Sequence, residues 1–425
     1  MKISKISSQT GVSINTIRYY ISLGLLNPTR RNNQYVFSKA DLDDILQIQR
    51  LKDMRFSLKE IEMVIRFGRT SNWIEPDILC KYSDMLREKK SELDREQEEL
   101  QRSIDLVSSE LQRISQRQED SWESSGVPLR ALPLLVCPKC GAKLHIEQAF
   151  FSPHGVMDGT LSCPCGYNAA IDCGIIKTGN LYTGAYDSPD LERNLYNVLC
   201  SNFLKIYQQS CSYLLKNLQE MDLRGKMVLE GCINGYFFLY NHFSDLPRDC
   251  LYVISDKYPE MLMMYKQLID QLNLGLEVLY IADNDMELPL AHGCVDVCVD
   301  FINSNEWSLY HQRPYPQALA PFLAPDCQVV GLFSEMDAFS QTKRNYLKKY
   351  PEGSPDLYLF QHVSEAWKAQ GFQVHWERCG MVKKTQNCFS FACHVDGEEL
   401  RFYVYQARRR SKSGGLQGKE GGTAL

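Results

Sequence analysis

Over residues 1–75 the apolar positions recur at intervals of three and four, the spacing of amphipathic helices, with one interruption. Two short helices are expected between Ile3 and Leu26, broken at Thr10-Gly11-Val12, where glycine permits the tight turn that lets the second helix cross the first. Ser13 is placed to cap that second helix, Ile14 to Leu23. The interruption, Asn27 to Phe37, runs turn residues into three strand formers and predicts a small β wing. Two further helices follow, opening with the capping pairs Ser38/Asp41 and Ser57/Glu60 and carrying Leu42, Ile45, Leu46, Ile48, Leu51 and then Leu58, Ile61, Val64, Ile65 at helical spacing.

From Asp77 to about Gln118 the pattern changes period. Glycine and proline are absent, and Leu86, Leu93, Leu100, Val107 and Ile114 recur every seven residues, joined downstream by Ile104 and Leu111. This predicts one long coiled-coil helix over 77–118 that pairs with a second copy of the chain. Lys90 and Gln97 fall on the same seam near its start and weaken packing there. A polar, turn-rich linker, 119–133, follows.

The remainder reads as two more units. Residues 134–180 hold a cysteine-bearing segment. A helical stretch is expected from Pro189 to Leu223, and beyond Gly225 short apolar strands alternate with helices: Met227 to Leu229, Leu251 to Ser255, Glu277 to Ile281, Val295 to Phe301 and Gln328 to Phe333. Phe389 to His394 and Arg401 to Gln406 are strand-like runs able to close the sheet. The expected fold class is therefore multidomain: an all-α winged helix-turn-helix (1–75) with its coiled-coil helix, a small zinc ribbon (134–180), and an α/β Rossmann-like domain over 189–407. A polar, basic tail, 408–425, is expected to be disordered.

Charge sharpens this division. The formal net charge is -5, yet residues 1–75 carry 12 Lys and Arg against 7 Asp and Glu, leaving -10 on the rest. A basic front on an acidic body suits a nucleic-acid reader attached to another module. The opening Met1-Lys2-Ile3-Ser4-Lys5 passes into a polar amphipathic pattern without the apolar core of a signal peptide, and apolar runs fall short of the ~20 residues that span a bilayer, so a cytoplasmic location away from membranes is expected. In that compartment most of the 16 cysteines should be reduced thiols.

The segment TGVSINTIRYYISLGLLNPTRR, followed by QYVFSKADLDDI and FSLKEIEMVI, resembles the MerR family of transcriptional regulators over residues 1 to about 70. Ser13, Asn15, Thr16 and Arg18 are hydrogen-bonders suited to base edges or phosphates at the start of a recognition helix. The resemblance implies that Arg18 and Tyr19 lie at the DNA, while Tyr20 either braces the backbone or supports the wing from the core. Arg30 and Arg31 would meet phosphates and Tyr35 would pack or reach the backbone. Two positions depart from the family: Gln34-Tyr35-Val36 stands where Gly-Tyr-Arg is usual, and Arg55 where glycine often precedes Phe-Ser-Leu. The resemblance implies a homodimer on an inverted-repeat, double-stranded DNA site that it bends and untwists, with RNA polymerase as a further partner.

Cys137-Pro-Lys-Cys140-Gly and Cys163-Pro-Cys165-Gly offer four thiolates in two knuckles, the donor set of a structural tetrahedral Zn²⁺. The second knuckle is one residue short, which leaves Cys173 or His154 as substitutes for Cys165.

Residues 190 to 407 resemble class I methyltransferases, which bind S-adenosylmethionine. The turn after the first strand reads Val228-Leu229-Glu230-Gly231-Cys232-Ile233-Asn234-Gly235-Tyr236, with Ile233 where the family has its central glycine. The resemblance places Glu230, Gly231 and Gly235 at the cofactor turn, Asp256 at the ribose hydroxyls and Asp283 at the adenine side, with S-adenosylmethionine as the candidate cofactor. The alternative is that these acids merely cap strand ends. Nothing after Asp300-Phe301-Ile302-Asn303 spells a catalytic signature. The sequence thus favours a regulator whose methyltransferase-like body senses an effector, the rival being an active methyltransferase with an autoregulatory DNA-binding domain.

Overall fold

The structure is a computed structural model of the 425-residue chain. It describes residues 1–409 apart from 32–33, 72, 120–123, 195–198, 357 and 385–392, and, within the long helix, the side chains from 114 onward. The chain forms two compact units, residues 1–120 and 121–425.

In the first unit α1 (Ile3–Thr10) and α2 (Ile14–Ser22) flank Gly11, whose φ of 72° turns the chain between them. Ser13 caps α2, its Oγ accepting the Thr16 N–H at 3.1 Å. The wing is an antiparallel hairpin of β1 (Thr29–Arg31) and β2 (Gln34–Val36). A full capping box between Ser38 and Asp41 starts α3 (Lys39–Asp53). The Ser57 N–H donates to Glu60 at 2.6 Å at the start of α4 (Leu58–Ser71). Ile6, Ile17, Tyr20, Phe37, Ile45 and Ile61 close one small core. The long helix α5 (Pro76–Glu119) covers 44 residues, and its first turns, through Tyr82, Met85 and Leu86, pack on that core.

Among the described residues, the second unit is built on one eleven-stranded sheet. Its centre is parallel: β7 (Met227–Gly231), β8 (Leu251–Asp256) and β9 (Glu277–Ala282) run to one side, β10 (Val295–Phe301) and β11 (Leu323–Met336) to the other. Side chains of alternating parity enter separate cores on the two faces, Val228 and Tyr252 on one, Leu229 and Val253 on the other, as a doubly covered parallel sheet requires. Helix α6 (Ser201–Gln219) and α8 (Pro259–Leu272) contribute to the first of these cores. The sheet ends on one side in β13 (Glu399–Arg409), antiparallel to β11, and β12 (Phe372–Lys383), antiparallel to β13.

The cysteine segment extends the other side of the same sheet. The meander β3 (His145–Ser152), β4 (Gly155–Ser162), β5 (Asn168–Asp172) and β6 (Ile175–Lys177) joins it through the parallel pair Ile176 and Ile281.

Two expectations differ from the structure. The helix expected from Pro189 begins only at Ser201. Asp190 and Arg193 instead hydrogen-bond the turn after β7, and Arg193 takes a left-handed φ of 53° that ends helical continuity. Of the run Phe389 to His394, residues 389–392 lie outside the described residues and His394 is not in a strand; β12 forms instead, from an alternation of Phe372, Val374 and Trp376. The tail from 410 also lies outside the described residues.

Candidate functional site

On α2 the cap brings Ser13, Asn15, Arg18 and Tyr19 to solvent, with Tyr19 51% exposed, while Thr16 is half-buried and bonded to the Ser13 hydroxyl at 2.7 Å. Tyr20, one residue on, is 2% exposed within the core, with the Lys52 ammonium 5.6 Å from its ring. Of the two roles open to it, the supporting one fits this placement. On the wing Arg30 and Arg31 are exposed, and the Arg30 guanidinium lies 4.9 Å from the half-buried Tyr35 ring. The turn between α2 and the wing is clamped by Arg69, which donates to the carbonyls of Gly24 (3.2 Å) and Leu25 (2.7 Å) and pairs with Asp44 at 2.7 Å. Arg55 sits at φ 60°, the left-handed conformation that explains why glycine suits this position.

Along α5, Leu86 packs on the core and Leu93 is half-buried, whereas Leu100, Ile104, Val107 and Leu111 are 49–63% exposed. The side chain of Ile114 lies outside the described residues.

The sulfurs of Cys137, Cys140, Cys163 and Cys165 all lie within 4.8 Å of one another, with Cys137 to Cys165 at 3.4 Å and Cys140 to Cys163 at 3.5 Å. A tetrahedron with Zn–S bonds of about 2.3 Å separates its sulfurs by about 3.8 Å. The donor set therefore fits a metal ion of that kind. Cys173 lies apart, beside Asp158 and Asp172, so the shortened second knuckle contributes Cys165.

The strand order reverses between β7 and β10, the place where doubly wound sheets bind ligands beyond their carboxyl ends. Around it the carboxylates named from the sequence are committed to the backbone. Glu230 accepts the N–H groups of Phe238 and Leu239, both at 2.8 Å, at the start of α7 (Phe238–His242). Asp256 accepts those of Asn234 and Tyr258, both at 2.9 Å. Asp283 accepts from Thr178 at 2.6 Å and from the N–H groups of Asp285 and Glu287 at 2.9 and 2.8 Å. Burial pushes the Glu230 carboxyl up to about 8, against the pull of its two amides, and Asp256 up to about 6, against the nearby Lys257 charge. Gly231 leaves room for Tyr315, whose hydroxyl a Cβ there would meet at 2.7 Å, and the Gly235 carbonyl accepts from Arg193.

What the crevice lacks is space. Ile233 is fully buried in the turn, and the cavity among Cys232, Asp256, Lys257, Asp283 and Tyr310 is about 10 Å³. That is room for about one water, against the ~300 Å³ or more of a usual ligand pocket. The segment 178–194 straps across it: Thr178 holds Asp283, Asp187 meets Lys257 and Tyr258, and Arg193 holds the carbonyls of Asn234 and Gly235. S-adenosylmethionine does not fit the crevice in this conformation. The sequence reading missed Lys257, Asp187, Tyr182, Tyr310 and Glu306; Lys257 was visible beside Asp256, but its partners lie in other segments.

Residues 1–67 match the family model described as the MerR HTH family regulatory protein. The HTH-type transcriptional regulator YyaN of Bacillus subtilis is 32% identical over 78 residues, 18% of this chain and 56% of its own, so the match takes in little more than half of that relative. The regulator YfmP of the same organism is 27% identical over 139 residues, 31% of this chain and 95% of its own. Among solved structures, a SAM dependent methyltransferase from Aquifex aeolicus aligns with 45% of this chain and 88% of its own at 17% identity and a TM-score of 0.30. The findings differ unit by unit: the N-terminal unit matches a helix-turn-helix family model over residues 1–67, and the body is an α/β fold on a doubly covered sheet. More narrowly, the stretch matched is similar to the MerR helix-turn-helix.

Proposed function

We propose that the chain acts as a homodimeric, MerR-type regulator on an inverted-repeat DNA site, with its methyltransferase-like body as the effector sensor. The observation that carries this reading is the MerR helix-turn-helix over residues 1–67, with Arg18 and Tyr19 turned to solvent on α2 and Arg30 and Arg31 on the wing. Ser13 and Asn15 would read or position at the same face, and phosphates would take the wing arginines. The exposed run Leu100, Ile104, Val107 and Leu111 supports pairing of α5 with a second copy, which sets two readers about a two-fold axis.

Zinc held by Cys137, Cys140, Cys163 and Cys165 would be structural, since four protein sulfurs leave no open position. It would tie the two knuckles that precede β3 and β5.

A run of contacts within the second unit supports the sensor role. Lys257 stands two residues before α8, and about 10–17 Å along that helix the buried pair Lys266 and Asp270 holds Ser124 and Ser125. The Lys266 ammonium donates to Ser124 at 2.8 Å, and the Ser125 hydroxyl to Asp270 at 2.6 Å. Ser124 follows the last residue of α5 by five positions. An effector that binds two conformations of the crevice with different affinity would bias the DNA-distorting state; equal affinity would give no switch.

The reading is tested by titrating its own upstream DNA with the purified full-length protein at stated salt, with and without S-adenosylmethionine. A specific complex that weakens steeply with salt is expected. Binding indifferent to sequence removes the regulator. The rival reading is an active S-adenosylmethionine-dependent methyltransferase, with Asp256 and Asp283 freed from their present partners to meet the cofactor, and calorimetric heat with the cofactor would support it.

A further inference from the structure

Lys257 is 8% exposed, and its ammonium lies 2.9 Å from the centroid of the Tyr310 ring, 4.8 Å from Tyr182 and 5.2 Å from Tyr258. The rings brace each other edge to face, Tyr182 being 5.9 Å from Tyr258 and 5.4 Å from Tyr310. Two carboxylates complete the enclosure, Asp187 at 2.9 Å and Glu306 at 3.6 Å. Aromatic faces backed by negative charge are the environment in which organic cations are recognised.

For a lysine this enclosure is incomplete. The buried Nζ carries three protons, and among the described residues its acceptors, Asp187 at 2.9 Å and Glu306 at 3.6 Å, are poorly aligned, so charge does most of the compensation. A cation of the same charge that carries no N–H has no such donors to strand, and gives up less hydration on entering. The Lys257 stem is long and has rotatable bonds enough to swing aside, and Asp187 belongs to the strap of residues 178–194 that lies over the crevice.

We propose that this crevice is a binding site for a small quaternary ammonium, a cation without N–H donors, and that Lys257 is its internal occupant. The site is closed while Lys257 fills it and opens when the ligand takes the ammonium's place among Tyr182, Tyr258 and Tyr310. This deepens the sensor reading and rests on it only for the effect of binding on DNA.

Full-length protein and its Lys257→Met variant are titrated calorimetrically, without DNA, with choline, with its uncharged isostere 3,3-dimethylbutanol, and with S-adenosylmethionine. Choline is expected to bind Lys257→Met at least tenfold more tightly than the parent, and Tyr310→Leu added to that variant should abolish the gain. Lys257→Met leaves two carboxylates unpaired, so its melting temperature is followed as well: choline should restore it with dose and dimethylbutanol should not. Neither gain nor rescue, an equal response to the uncharged isostere, or a gain for S-adenosylmethionine alone overturns the proposal. Because DNA is absent from these measurements, such a failure leaves the DNA-reading assignment standing.

Discussion

Ser13, Asn15, Arg18 and Tyr19 face solvent on α2, whereas Glu230, Asp256 and Lys257 are buried at the strand ends of the body. Both regions carry chemistry that the sequence singles out or adjoins, and they hold it under opposite conditions. A hydrated arginine on a capped helix costs nothing to keep ready, so the reader presents its groups without a closing device. A buried carboxylate or ammonium must be compensated where it stands, and the body does this with its own amides, rings and counter-charges. The compensation fills the crevice, and what binds there must first displace part of the protein.

The largest effect expected concerns the cysteine cluster. If zinc holds it, metal analysis should find about one ion per chain, and chelation or Cys163→Ser should collapse the ribbon, since structural zinc contributes ~10–16 kcal/mol in small folds. Because β6 belongs to the body's sheet, the melting temperature of the body should fall too; a metal-free protein of unchanged stability would sink the zinc assignment.

Within the reader, two adjacent residues should separate. Tyr20→Ala should cost ~3–5 kcal/mol of folding stability, the usual range for emptying an aromatic core site, and be seen as a lower melting temperature. Arg18→Ala should leave melting unchanged and weaken DNA binding by ~1–3 kcal/mol, roughly ten- to a hundredfold. A reversed pattern would mean that the tyrosine, not the arginine, faces DNA.

The body should answer to pH through a buried carboxyl. The Glu230 carboxyl stands at about 8 in the folded chain against an ordinary 4.5. Its favourable contribution is therefore complete below about 4.5 and lost as pH rises through 8, with a slope of at most ~1.4 kcal/mol per pH unit. Denaturant melts of the parent and Glu230→Gln across this range should show the parent losing ground as pH rises, and parallel curves would refute the burial argument. The smallest effect belongs to Arg55. Its left-handed φ costs ~1 kcal/mol, and its ion pair with Glu96 at 2.8 Å is too exposed to offset much. Arg55→Gly should raise stability by roughly that amount.

Much of this was legible because it is local. The Ser13 cap, the Ser38/Asp41 capping box, the break at Gly11 and the strand Val295–Phe301 depend on residues within a few positions of each other, and the four cysteines on two short knuckles. The missed elements depend on distant partners. The helix expected from Pro189 was stopped by the turn at Asn234 and Gly235, some forty residues on, and β12 needed β13 beside it.

The sequence by itself determined the class of the reader, the period of the long helix, the alternation of the α/β body and the metal-like spacing of the thiols, since each is written in neighbouring residues. Only the tertiary structure decided that Cys165 completes the thiol cluster, that Tyr20 turns inward while Tyr19 turns out, and that the body's crevice is shut. The last outcome joins Asp187, Lys257 and the pair Glu306 and Tyr310 from three separate segments, and packing across such separations leaves no periodicity in the chain to reveal it.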